Sequence, residues 1–211
     1  MKLVLLSTLL ILASCKTVLQ EDPLAAKTIV EVDRTTEIIQ GLQGTYHDCK
    51  PSTEYPGYFI NFDVAVNGDV LTFSRGLSGS ATCASVYYMF DYEYEIDRAS
   101  YAISGNVQDI NLDLKVVDFK TTFFHWGYLS SNYCGFTDWA VSVPKSLAGV
   151  TCPGLMTDYD ALFSSFRAPG ASEYWKVTLK TNSLVVPYGF VQGGDSASSR
   201  MVDEEKDIPK I

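Results

Sequence analysis

Histidine is nearly missing from this sequence: His47 and His125 are the only two among 211 residues. That scarcity leaves little material for imidazole metal sites or histidine-centred proton relays. Positive charge is also short, with 16 Lys+Arg against 25 Asp+Glu and a formal net charge of -9. Such a balance offers no basic surface to displace counterions from a phosphate backbone, so nucleic acid is not expected as a partner. The leading apolar run, Leu3 to Leu12, is ten residues long with Ser7 and Thr8 inside it, half of the ~20 that a membrane-spanning helix requires. No Gly-x-Ser-x-Gly elbow, phosphate-binding glycine loop or His-Glu-x-x-His pattern occurs. What is plentiful is apolar and aromatic side chain: 46% hydrophobic residues, with 13 Tyr, 11 Phe and 3 Trp, against 19% charged. This is enough to build a real core, which excludes disorder for most of the chain, and it suits strands better than a charged helical bundle.

The first fifteen residues carry an address. Met1-Lys2 gives a positive start, Leu3 to Leu12 an export-type apolar segment, and Leu12-Ala13-Ser14-Cys15 follows where that segment ends. An aliphatic residue, two small residues and a cysteine resemble the lipobox of bacterial lipoproteins. The resemblance implies cleavage after Ser14, so that residues 1–14 form the signal peptide, and acylation of Cys15 at both sulfur and amine. Two or three acyl chains anchor a protein stably, where one is marginal. Lys16 follows the cysteine; in the enterobacterial scheme an aspartate there marks inner-membrane retention, so the expected address is the bacterial envelope, lipid-anchored at the outer membrane. Cleavage removes Lys2 and no acid, leaving the mature chain still more acidic. Anchoring to the membrane is therefore expected from the acyl chains and not from a basic patch.

With Cys15 assigned to lipid, an even four cysteines remain: Cys49, Cys83, Cys134 and Cys152. In an exported protein these are expected to be disulfide staples. Cys134 and Cys152 share one turn-rich region, which pairs them and leaves Cys49 with Cys83. No Cys-x-x-Cys pair or nearby His-x-x-x-His is available for zinc, and no metal or cofactor is expected.

Residues 15–40 read as the lipidated cysteine and a tether, ending in a helical turn capped by Thr36. Beyond them, period-two alternation takes over. Tyr58 to Val66 sets Tyr58, Ile60, Phe62, Val64 and Val66 on one face, and Asn67-Gly68 signals a hairpin into Val70 to Arg75. Val86 to Ile96 is the clearest alternation: Val86, Tyr88, Phe90, Tyr92, Tyr94 and Ile96 face one way, Asp91, Glu93 and Glu95 the other. Ser100 to Ser104 and Ile110 to Val116 repeat the pattern, and Phe119 to Phe124 extends the latter. Glu173 to Lys180 and Leu184 to Phe190 flank Thr181-Asn182-Ser183 as a second hairpin. With a first strand over Leu42 to Asp48 the count is about eight, enough for a closed antiparallel barrel. Tyr128 to Gly154 reads as an irregular, stapled insertion, Thr157 to Phe166 as one short helix, and the stretch from Gln192 onward as a surface tail.

Gly44-Thr45-Tyr46-x-x-Cys49 is similar to the Gly-Thr-Trp-x-x-Cys opening of lipocalin-like bacterial lipoproteins. Tyr133-Cys134-Gly135-Phe136-Thr137-Asp138-Trp139, followed by Cys152 and two further strands, looks like the same group. The resemblance spans about residues 41–211. It implies an all-β, eight-stranded antiparallel lipocalin-like barrel with a disulfide-stapled insertion and one short helix, and binding of a small hydrophobic molecule. Tyr46 stands where lipocalins place a tryptophan across the barrel's closed end.

Chemistry has few candidates. His47-Asp48-Cys49 offers a Cys/His pair, but strand neighbours point to opposite faces and Cys49 is already a staple. His125-Trp126 sits at a strand-to-loop junction, where a solvent-facing histidine is the ordinary reading. Asp109, Asp113 and Asp118 read as solvent-face residues or loop ends and Asp158 as a helix cap, in preference to a Ca²⁺ or glycosidase site. No catalytic residue is assigned. The stripe of Tyr88, Phe90, Tyr92 and Tyr94, with Ile60 and Phe62, is the expected wall of a binding cavity or the filling of a core. The expected role is a non-enzymatic binding module for a small apolar ligand or an envelope component. A structural or adhesive surface lipoprotein, acting through the aromatic insertion, is the alternative.

Overall fold

A computed structural model describes residues 34–53, 55–104, 107–125, 133–152, 166–187 and 205–211. A helix α1 (Thr35–Leu42) leads into β1 (Gly44–Pro51), β2 (Phe59–Asn67), β3 (Val70–Ser78), β4 (Val86–Ser104) and β5 (Val107–Phe123). A two-residue strand β6 (Lys145–Ser146) follows, then β7 (Ser172–Leu179), β8 (Ser183–Pro187) and β9 (Glu205–Pro209). The strand order is β1-β2-β3-β4-β5-β7-β8-β9, antiparallel throughout, with β6 paired to β5 off this path. A bridge between Tyr46 and Lys210 and a hydrogen bond from the Ile211 amide to the Thr45 carbonyl at 3.0 Å bring β9 back to β1. The result is an eight-strand, nearly closed all-β barrel, as the alternating patterns led one to expect.

Four details differ from the sequence reading. The helix begins earlier and runs to Leu42, so the first strand starts at Gly44. Thr36 is not its cap: Arg34 holds that position without a side-chain cap bond, and Thr35 Oγ1 instead accepts from the Ala99 amide at 3.0 Å. Ile38 and Leu42 of this helix are buried in the barrel core, so its apolar face closes one end of the barrel. The hairpin turn is Gly68-Asp69, one residue later than expected, because Asn67 still pairs with Val70. Only Gly68 takes a positive φ, 62°, which fits a type II′ turn with glycine first.

The third difference is length. Ser100 to Ser104 is not a separate strand but the continuation of β4, which with β5 forms one long hairpin. Register shifts at Glu93/Tyr94 and Ile96/Arg98 bend the pair, and a bulge also resets the side-chain phase. The fourth is the eighth strand. The expected surface tail contains β9, and Ile208 there is wholly buried. The expected helix over Thr157 to Phe166 lies outside the described residues, apart from Phe166.

Inner faces follow the pleat. Ile60, Phe62, Val64, Leu71, Phe73, Tyr94, Ile110, Leu112, Leu114, Trp175 and Val177 belong to one buried cluster filling the barrel. At the end opposite α1, a second cluster joins Phe90 and Phe119 to Cys134, Leu147 and Cys152 of the insertion and to Phe166 beyond it. The insertion is tied down there by β6 and by the Leu147 amide, which donates to the Phe119 carbonyl at 2.8 Å. It roofs the barrel.

Candidate functional site

Cross-strand pairing sorts the inward residues near this roof into rows. Tyr46, Val64, Phe73, Tyr92 and Phe119 are successive partners across β1 to β5. The next row toward the roof is Asp48, Phe62, Arg75, Phe90 and Thr121, and the one beyond is Lys50, Ile60, Leu77, Tyr88 and Phe123. All six residues expected to line a site, Ile60, Phe62, Tyr88, Phe90, Tyr92 and Tyr94, thus face inward. Tyr88 and Tyr92 touch both apolar clusters, while Ile60, Phe62 and Tyr94 belong to the first and Phe90 to the second.

The rings are in mutual contact. Tyr88 and Phe90 have centroids 5.2 Å apart, Phe90 and Phe119 5.9 Å, and Tyr92 and Phe119 4.4 Å. Phe119 stacks on Phe166 of the roof at 4.2 Å. Deeper in, Tyr94 meets Trp175 edge-on at 5.2 Å and Phe73 meets Trp175 at 6.1 Å. Such offset and edge-to-face pairs add stabilisation beyond area burial.

Among these rings sit charged groups that sequence reasoning did not assign to the site. Arg75 is 6% exposed and Glu173 7%, and burial of a charge is tolerated only with compensating partners. Glu173 accepts a hydrogen bond from Trp175 Nε1 at 3.1 Å and lies 3.3 Å from Arg167 Nε on the limb returning from the insertion. Burial raises its carboxyl pKa, only partly opposed by Trp175, Arg167 and the Tyr94 hydroxyl. Burial, with Glu173 close by, also pushes the Tyr92 and Tyr94 phenols well above their ordinary range. The Arg75 guanidinium lies 6.0 Å from the Phe62 ring centroid. Asp48 faces inward with Lys50 Nζ 2.8 Å from its Oδ2. Thr121 is fully buried, and its Oγ1 has no hydrogen-bond partner among the described residues. The available signal was phase: Arg75 alternates with Leu71 and Phe73, and Glu173 with Trp175 and Val177.

Both disulfides form as expected, Cys49–Cys83 and Cys134–Cys152. Cys49 is therefore no nucleophile. On the outer face, His47, Asp63, Ser74, Asp91 and Lys120 form one row of cross-strand partners. His47 Nδ1 is 2.7 Å from Asp63 Oδ1, whereas Ser74 Oγ donates to Asp91 Oδ1 at 2.6 Å. Asp63 stands between histidine and serine in this row, so the three residue types do not form a nucleophile relay.

Asp109, Asp113 and Asp118 are not brought together. Asp109 binds Thr178 at 2.8 Å and Lys176 at 2.5 Å, Asp118 binds Ser146 at 2.5 Å, and Asp113 pairs across strands with Arg98. No group of three or more His, Cys, Asp or Glu arranged for a metal occurs among the described residues. Trp139 is half-buried, with Nε1 donating to the Tyr133 carbonyl at 3.1 Å and its ring 5.0 Å from Phe123. Cys15, Trp126 and Asp158 lie outside the described residues. Among those described, no helix is long and apolar enough to cross a membrane. No protein-family model matches the sequence, and a search of curated proteins returns no match.

Proposed function

We propose that this chain is a lipid-anchored protein of the bacterial envelope that acts as a non-enzymatic binding module, using the roofed end of its barrel. One observation carries the reading: the inward aromatic rows holding Tyr88, Phe90 and Tyr92 are covered by a separate stapled segment and not by further strands. A barrel end lined by rings and closed by an insertion is the place where an apolar ligand or the apolar part of an envelope component is taken up. The lipobox-like Leu12 to Cys15 supports the anchor.

Two measurements test the parts separately. Cys15→Ala should move the protein from the detergent phase to the aqueous phase; continued partitioning into detergent overturns the lipid anchor. Native mass spectrometry of the Cys15→Ala chain, purified without detergent, should retain a small apolar adduct that Phe90→Ala loses. An adduct-free spectrum that stays unchanged on adding apolar probes overturns the binding reading.

A surface-contact role is favoured by a different feature. Tyr58, Phe124 and Val143 are exposed, and Tyr58 reaches Tyr87 at 5.8 Å while the Phe124 amide donates to the Tyr87 carbonyl at 2.8 Å. In that reading this rim meets another envelope macromolecule, and replacing all three residues by serine removes the contact.

A further inference from the structure

The Phe136-Thr137-Asp138-Trp139 stretch of the insertion surrounds a cation of its own chain. Lys145 Nζ lies 4.6 Å from the centroid of the Phe136 ring and 5.2 Å from that of Trp139, and it donates to Asp138 Oδ1. The two rings are 83° apart in plane with centroids 6.0 Å apart, so they make two walls of a corner and the carboxylate makes a third. Electron-rich ring faces and a carboxylate converging on one point suit an ammonium ion.

The walls are fixed by groups other than Lys145. Trp139 Nε1 donates to the Tyr133 carbonyl at 3.1 Å, the Trp139 ring meets Phe123 edge-on at 5.0 Å, and the Phe136 amide donates to the same Tyr133 carbonyl at 3.2 Å. Cys134, beside Tyr133, is stapled to Cys152. A site built in advance loses little freedom on binding. Its occupant is held on a shorter element, since Lys145 sits on β6, which has two residue pairs with β5. The Asp138 side chain is 76% exposed against 19% for Lys145, so an incoming cation meets the carboxylate from solvent before the lysine has left. The hydrogen bond from Lys145 also holds the Asp138 carboxyl below its ordinary pKa, which keeps it an anion at neutral pH.

We infer that Phe136, Asp138 and Trp139 form a recognition site for a primary alkylammonium ion, which Lys145 fills as an internal ligand. A free amine of the same chemistry takes the place of Lys145, its ammonium donating to Asp138 and lying over the two rings. The exchange frees Lys145 and with it the hold of the cage on β6. The site lies on the roof and not in the barrel core, so a core that takes up no apolar ligand leaves it standing.

The test uses the full Cys15→Ala chain, isotope-labelled, and follows the Trp139 indole N–H resonance, identified by its loss in Trp139→Phe. Lys145→Ala empties the cage, and butylammonium then returns the missing side chain as a free ion. At neutral pH and constant ionic strength it should bind at least about tenfold more tightly than butanol, its uncharged counterpart, the scale of a cation–ring contact joined to a charge-assisted hydrogen bond. Tetramethylammonium, which has no N–H for Asp138, should bind less tightly than butylammonium. Adding Asp138→Asn to Lys145→Ala should remove the preference over butanol. With Lys145 in place the lysine competes from the same chain, so butylammonium should be needed at about tenfold higher concentration or more. There it should speed hydrogen exchange of the Leu147 amide, which follows β6 and donates to the Phe119 carbonyl, and butanol should not. This measurement needs no Lys145 variant and stays decisive if Lys145→Ala does not fold. In a folded Lys145→Ala chain, equal binding of butylammonium and butanol, binding of neither, or tetramethylammonium in the lead overturns the site. Equal exchange rates in amine and alcohol overturn the displacement of Lys145.

Discussion

Lys210 Nζ stands 5.5 Å from the centroid of the Tyr46 ring and donates to the Gln43 carbonyl at 2.7 Å. The Tyr46 hydroxyl in turn donates to the Leu42 carbonyl at 3.0 Å. One cation and one phenol thus satisfy two carbonyls around the helix-to-strand junction and join β1 to the last strand across the closed end. Gly44 makes room for this: its φ is 134°, and a Cβ there would lie 2.7 Å from Lys210 Cε.

Tyr46→Phe should lower unfolding stability by about 1–2 kcal/mol, the cost of leaving a buried carbonyl unmatched. Lys210→Met should destabilise less, since its amine reaches solvent. Urea unfolding under oxidising conditions measures both, and a Tyr46→Phe midpoint equal to the parent's would show that water replaces the phenol.

Glu173 gives a pH signature. Burial raises its pKa above the ordinary 4.5, so the folded state holds that proton more tightly than the unfolded state. Its contribution to stability is complete below about pH 4.5 and is lost as pH rises through the elevated folded value. Glu173→Gln, which keeps an acceptor for Trp175, should therefore flatten the stability profile in that window and gain on the parent toward neutral pH. Denaturant midpoints from pH 4 to 8 report this, and parallel profiles for the two proteins would refute it. Asp207 works the other way, because the Lys180 hydrogen bond lowers its pKa and its contribution fades as pH falls.

Each staple contributes separately. With sequence separations of 34 and 18, the loop-entropy model assigns about 4 kcal/mol to Cys49–Cys83 and about 3 kcal/mol to Cys134–Cys152. Paired serine substitutions should reproduce that order in equilibrium unfolding. Proteolysis should also separate them: loss of Cys134–Cys152 should expose sites in the roof first.

Gly76 is a packing requirement of the sheet. A Cβ at that position would come within 2.6 Å of the Tyr88 carbonyl oxygen, a backbone atom, and 2.9 Å of both Met89 Sδ and Val86 Cγ1. Gly76→Ala should cost about 1–3 kcal/mol as β3 and β4 are forced apart beside their register shift at Leu77/Ser78. A thermal midpoint unchanged from the parent would contradict this.

Much of the barrel was legible because alternation survives where one face is buried. Tyr58 to Val66 and Val86 to Ile96 declare their inward residues directly, and proximity in the turn-rich insertion paired Cys134 with Cys152. Three things were hidden for physical reasons. The shift at Ile96/Arg98 leaves Asp97 as an extra residue in β4, and the shift at Glu93/Tyr94 leaves Val117 as an extra residue in β5, so each long strand reads as two shorter runs. The segment around β9 is mostly charged, and Ile208 is its sole buried side chain among the described residues, which resembles a solvated tail. Arg75 and Glu173 occupy inward phases, but charge argues for solvent until the cross-strand neighbours are known.

The closure of β9 on β1 also sets a clock. Lys210 and Gln43, joined by one hydrogen bond, are 167 positions apart, so the barrel cannot close until the intervening chain exists. At about 5–20 residues per second of synthesis, that delay is roughly ten to thirty seconds. Throughout it the growing chain lacks its final seam. Until then the open edges of β1 and β8 are templates for pairing with another chain.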